Sequence, residues 1–364
     1  MSKFSLLILL MTLSAFAQEK RETFSVDADY FRGNIYKHTE YISHLITGHP
    51  DGVLLSFNKQ TYGDKEWQQS YNYPDYGVSL QYQNFESEAL GESFAVGVHY
   101  NFYFLKRHLV FRISQGIGMA TNPYDKETNY KNNAFGSKFM SSNLFMLNYK
   151  KENLVGRFGV QGGLIFAHFS NGRIKSPNSG INTYAINVGV NYNLSDKLAY
   201  VKSDSIQMKD YREPIRYNLA FRTGVSESQV TGSGQKPFYH ISVYADKRLG
   251  RKSALQFGTE LFLSRYLKEF IRYSSIAFPD KPYLDPETDY KRLSVFAGHE
   301  LFVNRLTIEA QVGYYVYKPF KYESDLYQRV GAKYYITPQI FTGVSLKAHG
   351  GRAEALEVGL GVRL

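Results

Sequence analysis

The sequence has no cysteine, one tryptophan and only 11 prolines among 364 residues. Without cysteine there is no disulfide and no lipid-anchored thiol after export. Beyond the first 17 residues there is also no run of roughly 20 apolar residues, which a membrane helix would need. These absences exclude a disulfide scaffold and a helical membrane protein. The opening stretch MSKFSLLILLMTLSAFAQEK reads as a secretory signal peptide over 1–17. Lys3 supplies the positive n-region, Phe4 to Leu13 the apolar core, and Ala15-Phe16-Ala17 the small-residue cleavage site. Residues 18–364 are then expected to form a single domain, since no linker, repeat or low-complexity tract divides them.

What is present is aromatic and cationic. Aromatic residues make up 16% of the chain, 31 of them tyrosines, and the net charge is +10. Such aromatic density suits strands and membrane interfaces. The positive charge reads either as solubility or as a sign of an anionic partner, which for an exported barrel would be the phosphorylated lipid of the outer leaflet and not nucleic acid.

Hydrophobicity alternates with period two. In EALEVGLGVRL, residues 354–364, Leu356, Val358, Leu360, Val362 and Leu364 share one face, and Glu357, Gly359, Gly361 and Arg363 the other. Residues 305–316, 216–224 and 253–263 repeat the pattern. Ten-residue segments with one apolar face are the signature of transmembrane strands, and outer-membrane barrels join them by short periplasmic turns and longer outer loops. Connections here alternate in that way, except for the long, charged stretch 195–213, which parity puts on the short-turn side. The fold expected is all-β, a transmembrane antiparallel barrel of the bacterial outer membrane. About 14 strands follow residue 75, and 22–32 and 50–60 can add a pair. The character of YKHTEYISHLITGHP, between that pair, is open.

One stretch carries chemistry: AHFSNGRIKSPNSGIN, residues 167–182. His168 and Ser170 share strand parity with Phe158, Val160, Leu164 and Phe166, whereas Arg157, Gly159, Gln161 and Gly163 face the other way. The apolar face of a membrane strand looks at lipid. His168 and Ser170 therefore point outward, about 7 Å apart along the strand, within reach of a histidine–serine hydrogen bond. On the following strand, Asn182 shares parity with Tyr184, Ile186, Val188 and Val190, opposite the lumen-facing Asn187 and Asn191. On His-x-Ser alone, polar residues at a strand end account for the pattern better than a hydrolytic pair does.

The surrounding residues add to this. His168-Phe169-Ser170-Asn171-Gly172, Pro177-Asn178 and Gly180-Ile181-Asn182 resemble the PagL family of outer-membrane lipid A 3-O-deacylases, in a longer form. The close match covers 154–194, and the minimal family members are eight-stranded and about half this length. The resemblance implies a serine-type ester hydrolase acting on lipid A, the lipid of lipopolysaccharide, with His168 as base, Ser170 as nucleophile and Asn182 as orienting residue. The family has a glutamate where this chain has Asn182. Asn171, Gly172 and Asn178 would support the oxyanion, and Arg173 and Lys175 would meet substrate phosphates. No metal or cofactor is called for. The rival reading is a non-enzymatic barrel, either a pore or an inactive lipid binder. Glu40, His44 and His49 match no recognised ligand pattern, and the Asp/Asn-rich 121–133 lacks the order of a calcium loop.

Overall fold

The computed structural model describes residues 22–201, 213–280 and 285–364. The expected signal peptide and most of the 195–213 connection lie outside the described residues. The chain is all-β. The first eight strands are β1 (Phe24–Ile35), β2 (Asp51–Lys59), β3 (Asp75–Asn84), β4 (Glu92–Phe104), β5 (Leu109–Ala120), β6 (Phe139–Val155), β7 (Phe158–Ser170) and β8 (Ile181–Asn193). They form a closed antiparallel barrel in which β8 pairs back onto β1. The next eight are β9 (Arg216–Ser226), β10 (Lys236–Arg248), β11 (Ser253–Ser264), β12 (Arg292–Val303), β13 (Leu306–Tyr317), β14 (Leu326–Tyr335), β15 (Ile340–His349) and β16 (Arg352–Arg363). They close a second barrel through β16 and β9.

A single barrel of about 14 strands is thus corrected to two barrels of eight, with β1 and β2 on the segments that read as an optional pair. The reason lies inside. Eight strands leave an interior that side chains can just fill. In the first barrel Arg112 and Lys150 reach across to opposite oxygens of Asp27, at 2.8 and 2.9 Å. In the second, Arg329 lies between Glu260 and Glu357, at 2.6 and 2.7 Å. In one ring of twice the strand number these charges would line a wide aqueous channel and not meet. Side chains fill both lumens, which does not suit the pore reading.

The long-loop ends are plugged by apolar residues. In the first barrel the open segment 36–50 forms a 3₁₀ turn, Glu40–Leu45, capped by Thr39. Its Ile42 and Leu45 join Phe85, Leu90 and Phe135 over Phe31, Phe169 and Ile181. A short helix α1 (Glu66–Ser70) lies at the opposite, short-turn end. Helix α2 (Tyr266–Ala277) follows β11, where only a loop was expected. Its Tyr266, Leu267 and Ile271 pack with Phe320 over the second barrel.

The outer wall is apolar as the alternation requires. Val188 is 63% exposed, whereas its neighbour Asn187 is 1% exposed. The sequence alone suggests that a charge at Asn187 would be tolerated. The structure corrects this, because Asn187 and Asn148 exchange two amide hydrogen bonds of 2.7 and 2.8 Å. Val188→Arg is expected to cost about 2–4 kcal/mol of stability at mid-membrane. Asn187→Asp should also destabilise, since it sets an unpaired charge in the packed lumen. Equilibrium unfolding in lipid vesicles measures both, and a neutral Val188→Arg would contradict the lipid-facing assignment.

Candidate active site

Strands β7 and β8 are antiparallel neighbours, and their register sets His168 opposite Asn182. Both lie at the long-loop end and share the outward face with Leu164, Phe166, Tyr184 and Ile186, all exposed. Ser170 is the next outward position, and the loop that follows buries it. His168 Nε2 is 2.9 Å from Ser170 Oγ, and His168 Nδ1 is 2.6 Å from Asn182 Oδ1. An amide oxygen only accepts. The ring therefore carries its proton on Nδ1, donated to Asn182, and Nε2 accepts from the serine hydroxyl.

A fourth residue extends this relay. His38, in the loop after β1, lies with Nδ1 3.3 Å from Asn182 Nδ2 and Nε2 3.0 Å from the Ser179 carbonyl. Nδ1 is also 3.3 Å from the Tyr36 carbonyl, but the shorter contact to Ser179 favours the proton on Nε2, which leaves Nδ1 to accept from the Asn182 amide. Sequence reasoning missed His38. It reaches the site only because β1 pairs with β8, where Tyr36 N–H donates to the Asn182 carbonyl at 2.8 Å.

The three expected oxyanion residues share one turn. The Asn171 N–H donates to Asn178 Oδ1 at 2.8 Å, and Asn171 Oδ1 accepts from the Arg173 N–H at 2.9 Å. Asn171 thus shapes the loop with its own amide groups. That leaves the Gly172 N–H and the Asn178 side-chain NH₂ without hydrogen-bond partners among the described residues. Gly172 has φ +61°, and a Cβ on it would lie 2.8 Å from the Leu356 side chain of the second barrel. Gly180 also has positive φ (+68°), and its Cβ would crowd the site, 3.1 Å from Ser170 Cβ and 3.3 Å from His168 Cε1.

The loop 171–180 is held by the second barrel. Arg173 is buried, its Nη1 2.8 Å from Glu323 and its Nη2 bonded to Tyr322. The Arg173 carbonyl accepts from Ser226 Oγ at 3.0 Å and from the Glu227 N–H at 3.1 Å. Burial works against the Arg173 charge, but Tyr322 and Glu323 outweigh it and raise its pKa. Burial and the nearby Glu354 carboxylate push Glu323 up, while Arg173 pulls it the other way. Arg173 was expected at a substrate phosphate; the structure instead commits it to this bracket between barrels. Lys175 is exposed on the same loop.

Two other clusters look chemical. Inside the second barrel, His240 is 2.7 Å from Glu357 and 3.1 Å from Ser264. All three are fully buried, and Arg329 also holds Glu357. Ligand atoms of Glu323, His349 and Glu354 lie within 4.8 Å of one another, but Arg292 and Lys347 already pair with Glu354.

Comparison with known proteins divides at the same place as the fold. Residues 51–191 match the family model for lipid A 3-O-deacylase (PagL), and residues 215–364 match that for the C-terminal domain of acyloxyacyl hydrolase. No curated protein matches the chain. Among solved structures, a mutant of Rh. blastica porin is 7% identical, covering 94% of this chain and 100% of its own, with a TM-score of 0.18. CdiB from Acinetobacter baumannii is 10% identical, covering 95% of this chain and 60% of its own, with a TM-score of 0.20.

Proposed function

The chain belongs to the PagL family of outer-membrane lipid A 3-O-deacylases, and on that footing we propose that Ser170, His168 and Asn182 carry out its ester hydrolysis. An acyl chain of lipid A lies along the apolar wall beside Phe166 and Tyr184, with its ester carbonyl at Ser170 Oγ. Ser170 attacks the carbonyl carbon while His168 Nε2 takes the hydroxyl proton. The Gly172 N–H and the Asn178 amide then stabilise the oxyanion. Collapse of the intermediate breaks the ester C–O bond, and the His168 proton leaves with the sugar hydroxyl. Water, deprotonated by His168, releases the fatty acid from Ser170. The scheme uses no metal or cofactor.

The observation that carries this reading is the relay from Ser170 through His168 to Asn182 on the lipid-facing wall. Asn182 also favours the alternative of an inactive, lipid-binding barrel, because an amide orients an imidazole but gives its protonated form no countercharge. Mass spectrometry of lipid A decides between them. Wild-type protein should remove one acyl chain and Ser170→Ala should not. Hydrolysis retained in Ser170→Ala would sink the serine mechanism, and a folded but inert wild type would put the lipid-binding reading in its place.

His38 enters as a positioning residue for Asn182. Losing one hydrogen bond is worth about 1 kcal/mol, so His38→Ala should lower kcat by roughly five- to tenfold with KM little changed. A loss as deep as that of His168→Ala would make His38 a reacting group instead.

A further inference from the structure

At the end opposite the hydrolytic site, the 60–74 connection of the first barrel meets the turns at 249–252 and 304–305 of the second. Tyr71 Oη donates to the Phe302 carbonyl at 2.8 Å, and Lys252 Nζ donates to the Ser70 carbonyl. Between them is a cleft of about 340 Å³. Lys65, Arg248, Arg251 and Lys252 line it, against a single carboxylate, Glu66, which pairs with Arg251. Two buried donors on its walls, Trp67 Nε1 and Arg251 Nε, have no acceptor among the described residues.

We propose that this cleft binds the phosphate of an anionic phospholipid from the inner leaflet of the outer membrane. Lys65, Arg251 and Lys252 against one carboxylate favour an anion, with Arg248 beside them donating to the Gly250 and Arg251 carbonyls, and the two unmatched donors are suited to phosphate oxygens. The position selects a lipid over a free ion. Short turns face the periplasm, so the cleft lies at the inner-leaflet boundary. The Trp67 ring is 6.3 Å from both Tyr76 and Tyr100. These tyrosines continue the lipid-facing rows of Val78 and Leu80 and of Val96 and Val98, all exposed. Tryptophan and tyrosine at this depth form the belt where headgroups meet acyl chains. A headgroup in the cleft leaves its tails against these outer walls. The excess positive charge favours phosphatidylglycerol over a zwitterionic lipid, whose own ammonium offsets its phosphate.

Trp67 is the chain's only tryptophan, so its emission reports on the cleft directly. Full-length Ser170→Ala protein, which would leave ester probes intact, is folded in nonionic detergent. It is then titrated with dihexanoyl phosphatidylglycerol, dihexanoyl phosphatidylcholine and inorganic phosphate. The expected result is a saturable change with phosphatidylglycerol, at least tenfold weaker with each of the other two. Arg251→Gln/Lys252→Gln should weaken phosphatidylglycerol binding at least tenfold. No saturable change, equal affinity for phosphatidylcholine or phosphate, or an unaffected double variant would each overturn the proposal. If the double variant fails to fold, Lys65→Gln on the exposed rim replaces it. A threefold weakening is expected there, and an unchanged affinity counts against the proposal.

Discussion

His168→Ala should lower lipid A deacylation by about 10⁴-fold or more without unfolding either barrel. Loss of the base in a serine hydrolase removes both proton transfers, and that scale of effect is typical. The fold should survive because His168 sits at the end of β7, and its side-chain bonds run to Ser170 and Asn182. Asn182 is expected to behave differently. Its amide fixes the ring tautomer but carries no charge to stabilise an imidazolium, so Asn182→Ala should cost only about 10- to 100-fold. Asn182→Glu, which restores the carboxylate found in the family, should keep or raise activity. Fatty-acid release from purified lipid A measures all three, with heat-modifiable gel mobility as the check on folding. Equal losses in His168→Ala and Asn182→Ala would mean that the asparagine does more than orient.

The second large effect is on stability. Arg329→Ala should destabilise the protein by about 3–5 kcal/mol, the usual cost of stranding buried countercharges. Arg329 is fully buried and makes four hydrogen bonds of 2.6 to 3.0 Å to Glu260 and Glu357. Without it, Glu260 keeps Arg222, at 3.4 Å, as its cationic partner and Glu357 keeps His240, inside a lumen packed by side chains. Arg157→Ala is the control. Its pair with Asp196 is exposed at 3.0 Å, and its loss should cost about 0–1 kcal/mol. Urea unfolding in vesicles compares the two. Similar losses would contradict the account of the lumen as a set of mutually dependent charges.

Much of this was legible in the sequence because membrane strands have a strict period. Alternation alone separates Val188 from Asn187 and turns His168, Ser170 and Asn182 to one side. Neighbouring strands in an antiparallel pair then bring residues 168 and 182 together. Ring closure was not legible, because alternation says which way a side chain points and not which distant strand lies beside it. One ring of sixteen strands and two of eight share the same local pattern. The clue was the connection 195–213, too long and too charged for a short turn. It falls between the two barrels. His38 was missed for the same reason, since it depends on β1 lying next to β8. Arg173 was misread because a cation in an outer loop looks alike whether it faces solvent or a second barrel.

Each barrel completes its own ring of backbone hydrogen bonds, and among the described residues no strand of one extends the sheet of the other. The halves are therefore joined without a shared sheet, through the 194–215 connection and through side-chain contacts at both ends of the barrels. Covalent linkage makes their docking an intramolecular event, so the contacts between them need less affinity than two separate chains would. Bonds from Ser226, Glu227, Tyr322 and Glu323 hold the 171–180 loop, and each can be exchanged without unmaking either ring.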